Sequence, residues 1–574
     1  MRYGPSFDVG SKRLVLLALV AGIIFVSLIR YAQFSELDPR MDQASFAVWV
    51  QDLIEAPRLL PNTADETGFK EALIRDENSA LNILLRRLYV VHDHIFVVLS
   101  LAWFTAWTTV FGWDMPGQVA ISIISGTLAA AVIAWLPWVR GGENQRRSIA
   151  LAPWITAAIF AFASANGFLG LFSALGVHNV GLLGLACGLV ATQSWLWRWQ
   201  DDRQLWPGWI GIFSLVGPQA VAFYTHYTSV FLLPMATGVV LAASTIRPVS
   251  ARWRAVLSYA GAGLLTAIPF FALTLIARPE IDTDQDALSR LAWVLSQDGY
   301  SPAELWLRVS RWWTTMADYS TSAGLAMGLG GCIVLAFKEK AFLPLSLISV
   351  HLLISVMIPG FSQLDRTGSY AVLVLCMGAG WLVVVSVDVA IAAWRNHGRP
   401  RAVGIFVGLT LLVAGQFGIE AERLTNPASV SSWSYLLHYP GEDRRLVRTV
   451  EKAMPEGSLF FAWDYRLEYA IRVLSERLRG ETRTLRPVES YIREHEAGRL
   501  NRYTKKHGMH LPSGTPIYLL VPDRFESRLR AMAGPVFGPG GLEIRTDVKL
   551  QRVKTLNWKH GLPPSDEYGL YVIP

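Results

Sequence analysis

Residues 207–246, PGWIGIFSLVGPQAVAFYTHYTSVFLLPMATGVVLAASTI, decide the fold class. They read as two apolar runs, 207–224 and 227–246, with Tyr224, Thr225, His226 and Tyr227 interrupting the pattern between them. Each run approaches the length that crosses a hydrocarbon core of about 30 Å. Runs of the same kind recur near 14–34, 92–111, 117–137, 150–168, 177–197, 255–276, 323–337, 342–358, 369–390 and 402–419. Composition agrees, because 52% of the 574 residues are hydrophobic, 17% are charged and 22 are Trp, more apolar surface than soluble cores bury. A fully soluble chain is excluded, and so are disorder, collagen-like repeats and coiled coil. The expected fold is an all-α polytopic membrane domain.

The formal net charge is +7, but the basic residues lie in short loops and in the tail and form no single basic face, so nucleic acid is not a partner. Cys187, Cys332 and Cys376 all fall in apolar runs without ligand spacing, which argues against disulfides and zinc. Lys12 and Arg13 precede the run Leu14 to Ile29, and no small-residue cleavage pattern follows, so this segment reads as a retained signal anchor.

Loop charges orient the rest. Arg140, Arg146 and Arg147, then Arg247, Arg252 and Arg254, then Lys338 and Lys340, then Arg395, Arg399 and Arg401 mark four cytoplasmic loops. That pattern places 277–322 and the tail outside, and an N-terminus held inside by Lys12 and Arg13 places 35–91 there as well; the twelve runs would return the tail to the inside, so the expected number of crossings is odd, 11 or 13. The membrane domain is expected over 1–424, with 35–91 and 277–322 as large outer loops. A small extracytoplasmic α/β domain is expected over 425–574. Within it, Ser458 to Trp463, Pro516 to Val521 and Tyr568 to Ile573 read as strands, and 464–479 and 523–533 have helical spacing. No phosphate loop or dinucleotide fingerprint occurs there.

The acidic segment after the first span carries the most chemistry. From Asp42, the residues Phe46, Trp49, Val50, Leu53 and Ile54 recur on one helical face, opposite Gln51, Asp52 and Glu55. Such a helix lies on a membrane surface. Asp42 stands at its N-terminal end, where a carboxylate caps free amides or serves as a base; Asp38 precedes it by one short turn. Arg86 and Arg87 follow Leu81, Leu84 and Leu85 and suit either a lipid phosphate or an interfacial anchor. His92, Asp93 and His94 come next and suit a proton relay or metal ligation; adjacent residues on a helix point apart, so all three reach one metal ion only if the chain is extended there.

Further polar groups emerge on the same expected leaflet: His178 and Asn179, the Tyr224 to Tyr227 break, then Gln363, Asp365, Arg366, Ser369 and Tyr370. Each alone reads equally as a satisfied structural polar residue. Interrupted helices at a membrane face line cavities rather than lipid, and an Arg at that depth calls for an acid or a phosphate.

In the order of its motifs the chain resembles the GT-C superfamily of integral-membrane glycosyltransferases, specifically the bacterial group of protein O-mannosyltransferases and aminoarabinose or lipopolysaccharide-core sugar transferases. MDQASFAVWVQDLIEAPRLLP is similar to the family's Asp-Glu element ending in Pro. HDHIFVVLSLAWFTAWTTVFG is similar to its His-Pro-Pro-Leu opening of a span ending in Phe-Gly, and AFYTHYTSVFLLP to a Tyr-Thr-His-Tyr element. An outer soluble tail follows. Asp42-Gln43 stands where the family has Asp-Glu, so Asp42 alone carries over as catalytic base, with Asp38 or Asp114 as candidates for a second acid. Asp93-His94 replaces the Pro-Pro pair.

The resemblance implies transfer of one sugar, with inversion, from a polyprenyl-phosphate donor to a hydroxyl of an envelope lipid, glycan or protein at the outer face of a bacterial inner membrane. Asp42 is then the base, and Arg366 with Arg86 or Arg87 holds the departing phosphate. His92, His94, His178, Tyr224, His226, Tyr227 and Tyr370 line the substrate cavity. No metal or other cofactor is indicated, and a divalent cation is left open. The rival readings are a secondary transporter, which would place polar groups near the midplane in two repeated halves, and a non-catalytic assembly protein.

Overall fold

The computed structural model describes residues 98–111, 115–134, 136, 177–201, 208–225, 227–244, 248–277, 300–357, 364–397, 442–463, 516–530, 551–557 and 567–573, with Ala21, residue 400, most of 403–419 and single positions over 471–498. The expected spans 14–34, apart from Ala21, and 150–168 lie outside these residues. In chain order the helices are α1 (Val98–Phe111), α2 (Met115–Ala134), α3 (Val177–Gln200), α4 (Gly208–Thr225), α5 (Tyr227–Ala243), α6 (Val249–Ala277), α7 (Pro302–Glu339), α8 (Phe342–Met357), α9 (Leu364–His397) and α10 (Glu442–Ala453). The strands are β1 (Leu459–Phe461), β2 (Ile517–Pro522), β3 (Gln551–Asn557) and β4 (Glu567–Ile573). They fall into two compact units, one holding α1 to α9 and the other α10 and the sheet.

In the helical unit, Asn179–Gln200, Pro302–Glu339 and Thr367–Trp394 are long and apolar enough to cross a membrane; Ala120–Ile133, Leu232–Ala243 and Phe342–Met357 are shorter apolar helices. Pro218, Pro234 and Pro269 lie inside α4, α5 and α6. Membrane helices tolerate this because their neighbours re-satisfy the freed carbonyls. Along α6, Trp253, Leu257, Leu264 and Ile268 are exposed at helical spacing, a stripe that suits lipid and not water.

Helix α7 departs most from the sequence reading, which ended an outer loop at 322 and began a span at 323. Helix instead starts at Pro302, with Ser301 as N-cap accepting from the Glu304 N–H at 3.3 Å. Glu304, Arg308, Arg311 and Asp318 lower the hydropathy of this half without breaking its helical backbone. Its first turns and the residue before its N-cap close the end of α8: Arg308 Nη1 donates to the Val356 carbonyl at 3.0 Å and the Tyr300 hydroxyl to the Met357 carbonyl at 3.1 Å. Those carbonyls have no acceptor role left within their own helix.

The two halves of α7 meet at Thr321, whose φ of 62° and ψ of 161° are not helical. This is a region that glycine favours, and a β-branched residue there is strained. Side chains support the break. The Thr321 hydroxyl accepts from the Gly324 N–H at 3.0 Å and bonds Gln416, whose amide donates to the Ser320 carbonyl at 2.9 Å.

Helices α7 and α9 run parallel. Gly368 faces Met316 and Tyr319, Leu375 faces Gly328, and Gly378 faces Gly331 and Cys332, so both numberings rise together. A Cβ on Gly328 would stand 2.7 Å from the Leu375 carbonyl oxygen, so only glycine permits this approach. Such small-residue crossings bring membrane helices together where water supplies no hydrophobic drive.

In the second unit the sheet order is β1-β2-β4-β3, with β1 parallel to β2 and the other two pairs antiparallel. Every residue of β2 is buried, as expected of a strand covered on both faces. Leu446, Val447 and Val450 of α10 join Phe460, Leu519, Leu520 and Leu570 in one core. Gly457, at φ +82°, turns the chain from α10 into β1. The three expected strands are present; α10 and β3 are additions.

Candidate functional site

Among the described residues, the shortest link between two helices joins α4 to α5. α4 ends at Thr225 and α5 begins at Tyr227. Thr225 rests on α3 at Gly184, where a Cβ would stand 2.9 Å from its Cβ; four residues on, Gly188 faces Ala222 and the Pro218 carbonyl. α3 and α4 are therefore antiparallel, and residues 177–183 of α3 continue past the end of α4. At 1.5 Å per residue the turn is set back about 10 Å from the start of α3.

Hydrogen bonds hold it there. Ser100 Oγ, in the first turn of α1, donates to the Thr225 carbonyl at 2.8 Å. The Tyr224 hydroxyl donates to the Thr266 carbonyl of α6 at 2.7 Å, and α6 runs on to Ala277. Asn179 Nδ2 donates to Ser122 Oγ at 3.2 Å and fits against Gly126, tying the projecting end of α3 to α2.

A second polar group joins α7, α8 and α9. Trp312 Nε1–H donates to His351 Nδ1 at 2.9 Å, and His351 Nε2 lies 3.0 Å from the Thr367 carbonyl oxygen. An indole only donates and a carbonyl only accepts, so His351 is the neutral tautomer with its proton on Nε2. Trp312, His351 and Thr367 are 2%, 0% and 3% exposed. Arg366 is the residue before Thr367, and its backbone lies in the first turn of α9.

The two groups lie at similar depth. The Leu343 N–H meets Gln193 Oε1 at 3.2 Å, which aligns α8 with α3. His351 is two helical turns along α8 from that contact, and Gly184 two and a half along α3, so a common rise brings both near the level of Thr225. The break at Thr321 belongs to the same zone, since Tyr319 lies against Gly368, next to Thr367.

Of the residues singled out by sequence, Asp38, Asp42, Arg86, Arg87, His92, His94 and His226 lie outside the described residues. His178, Tyr227 and Arg366 are placed by their backbones, each in the first turn of its helix: α3, α5 and α9. Tyr224 is half-buried on α4, and Tyr370 is fully buried on α9. Among the described residues no three His, Cys, Asp or Glu side chains gather as metal ligands.

No protein-family model and no curated protein matches the sequence. Solved structures do match it. The crystal structure of ArnT from Cupriavidus metallidurans bound to undecaprenyl phosphate is similar with a TM-score of 0.50 at 12% identity, over 96% of this chain and 97% of that one. The chain has the fold of ArnT. That protein is an aminoarabinose transferase, a GT-C membrane glycosyltransferase. Its apo crystal structure gives a TM-score of 0.48 at 12% identity, over 97% of this chain and 98% of that one.

Within the ArnT fold, Trp312, His351, Thr321 and Gln416 are polar positions that sequence reading passed over. His351 sits in FLPLSLISVHLLISVM, whose only ring nitrogens are its own. A lone imidazole inside a span is the signal that would have found it.

Proposed function

We propose that this chain is a GT-C glycosyltransferase that moves a single sugar from a polyprenyl-phosphate donor to a hydroxyl of an envelope lipid, glycan or protein. The observation that carries the reading is fold likeness over nearly the whole chain to ArnT, a protein seen with undecaprenyl phosphate bound. The set-back turn supports it, because a carrier with a membrane-embedded tail delivers its phosphate near the level of the helix ends. Ser100 and Thr225 are bonded, so the chain just after His92 and His94 is fastened to the residue before His226.

In this reading Asp42, with Asp38 nearby, takes the acceptor's proton. The acceptor oxygen bonds the anomeric carbon as the bond from that carbon to the phosphate oxygen breaks, and the electron pair leaves with the phosphate. Arg366, Arg86 and Arg87 neutralise the charge that develops there. His92, His94, His178, Tyr224, His226 and Tyr227 border the substrate, whereas Tyr370, expected beside them, is fully buried in the packing of α9 and has no surface to offer it. The membrane domain over 1–424 has 11 or 13 crossings, the domain over 425–574 is extracytoplasmic, and the site opens on that side of a bacterial inner membrane.

The test is Asp42→Asn in the native host at equal membrane abundance, with envelope glycans and lipid-linked sugars compared by mass spectrometry. The expected result is a product lighter by one sugar and an accumulated carrier-linked donor. An unchanged profile in a strain lacking the whole chain would overturn the transferase reading and favour transport or assembly. A change on deletion, with none in Asp42→Asn, would move the base to Asp38 or another acid.

A further inference from the structure

We infer that Trp312 and His351 are positioning residues for Arg366, and that they act on the donor phosphate through the first turn of α9; this rests on the proposed donor reading. Trp312 fixes the imidazole by donating to Nδ1, and the N–H thereby placed at Nε2 donates to the Thr367 carbonyl, next to Arg366. Beside it, a Cβ on Gly368 would stand 2.8 Å from Met316 Cε and 2.9 Å from Tyr319 Cε2, both on α7. One face of the first turns of α9 is thus held by a directed bond and an adjoining face by close contact.

The arrangement costs more than an apolar core would. Three helices meet at His351, and hydrocarbon side chains of similar volume would fill the space without needing partners. What a Trp–His–carbonyl relay adds is direction: it sets the rotation of α9 about its axis, and with it the placement of the Arg366 backbone. Orienting a ligand through a ring nitrogen whose opposite nitrogen is bonded elsewhere is a device familiar from metal-bound imidazoles. Here the oriented group is a peptide carbonyl.

The test is a double-substitution cycle on purified full-length protein in detergent, read by equilibrium binding of radiolabelled undecaprenyl phosphate. Trp312→Phe removes the donor and keeps a ring; His351→Phe removes both ring nitrogens; His351→Gln keeps an amide N–H within reach of the Thr367 carbonyl. Trp312→Phe and His351→Phe are expected to weaken binding about threefold to tenfold, a coupling within the range for neighbouring residues. His351→Gln is expected to retain most of it. In an Arg366→Ala background the same substitutions are expected to change binding no further.

Equal weakening with and without Arg366 would assign the relay a purely structural role and overturn the inference. So would unchanged binding in both Phe variants. Binding that survives in the unsubstituted protein but ignores Arg366→Ala overturns the inference and leaves the carrier-lipid reading standing. No binding by the unsubstituted protein overturns both.

Discussion

Gly331 of α7 and Gly378 of α9 meet backbone to backbone, and a Cβ on Gly331 would fall far inside van der Waals contact distance of the Gly378 carbonyl. The neighbouring Gly330 differs, since a Cβ there would meet Leu382 at an ordinary 3.8 Å. Gly331→Ala is therefore expected to force the helices apart at a cost of about 1–3 kcal/mol, the usual penalty for overpacking. Gly330→Ala should be close to neutral. Thermal unfolding of the two variants in the same detergent checks this, and equal shifts would disprove the close crossing.

The break at Thr321 combines strain with hydrogen bonds that offset it. Thr321→Val keeps the branched shape and loses the hydroxyl bonds to Gly324 and Gln416. Thr321→Gly loses the same bonds and relieves the strain, worth about 1–3 kcal/mol. The glycine variant should thus be the more stable of the two. Gln416→Ala, which withdraws the donor from the Ser320 carbonyl, should cost about 1–3 kcal/mol. Denaturation midpoints give the ranking, and a valine variant above the glycine variant would contradict it.

Thr225 offers a way to perturb the turn from behind. Gly184→Ala sets a methyl against the Thr225 side chain, hydroxyl included, and pushes on the α4–α5 turn through that residue. Transfer of the sugar, once the donor is known, is expected to fall at least tenfold in this variant. Gly238→Ala, at a position where a Cβ meets nothing within 4 Å, serves as the control. Activity unchanged by Gly184→Ala would remove the turn from the site.

In the second unit, Tyr571 OH donates to Glu526 Oε2 at 3.0 Å, and Arg530 pairs with the other oxygen of the same carboxylate. The tyrosine is fully buried, whereas the Arg530 side chain is 47% exposed. Tyr571→Phe should cost about 1.5–3 kcal/mol as a bond to a charged group. Arg530→Ala should cost under about 1 kcal/mol. Chemical denaturation followed by a probe in this unit distinguishes them, and the reverse order would count against the arrangement.

Burial in the sheet raises the Tyr518 phenol above its ordinary value of 10.0. The folded state thus holds the proton more tightly than the unfolded chain, so this stability is fully present below pH 10 and is lost as pH rises through the folded value. Tyr518→Phe has no proton to lose and should tolerate alkali better. Unfolding followed from pH 9 to 12 checks the sign; an unchanged alkaline limit would show that Tyr518 does not set it.

How much of this was legible depends on what hydropathy can register. The α4–α5 break was readable because Tyr224 to Tyr227 interrupt two clean apolar runs. The N-terminal half of α7 was not, since Glu304, Arg308, Arg311 and Asp318 bring its average down while Ser301 and Pro302 still start a helix. α10 and β3 were missed for a related reason: EDRRLVRTVEKA and QRVKTLN are polar in composition and take their order from packing and strand pairing. His351 and Trp312 stand far apart in sequence, and no local pattern pairs an indole with an imidazole. The fold class was carried by many residues at once, which is why it could be read; the polar relay depends on single contacts.

A turn that stops about 10 Å short of the start of α3 also sets the dielectric its residues work in. Two unit charges 4 Å apart attract by about 1 kcal/mol in water and about 4 kcal/mol at an effective dielectric constant of 20. Salt screens the deeper pair less. Cationic groups gathered at the level of Thr225 would therefore grip an anion harder than the same groups at the helix tips, and in a manner less sensitive to ionic strength. In the proposed donor reading, a short hairpin at that depth would strengthen charge recognition by geometry alone, without an added residue.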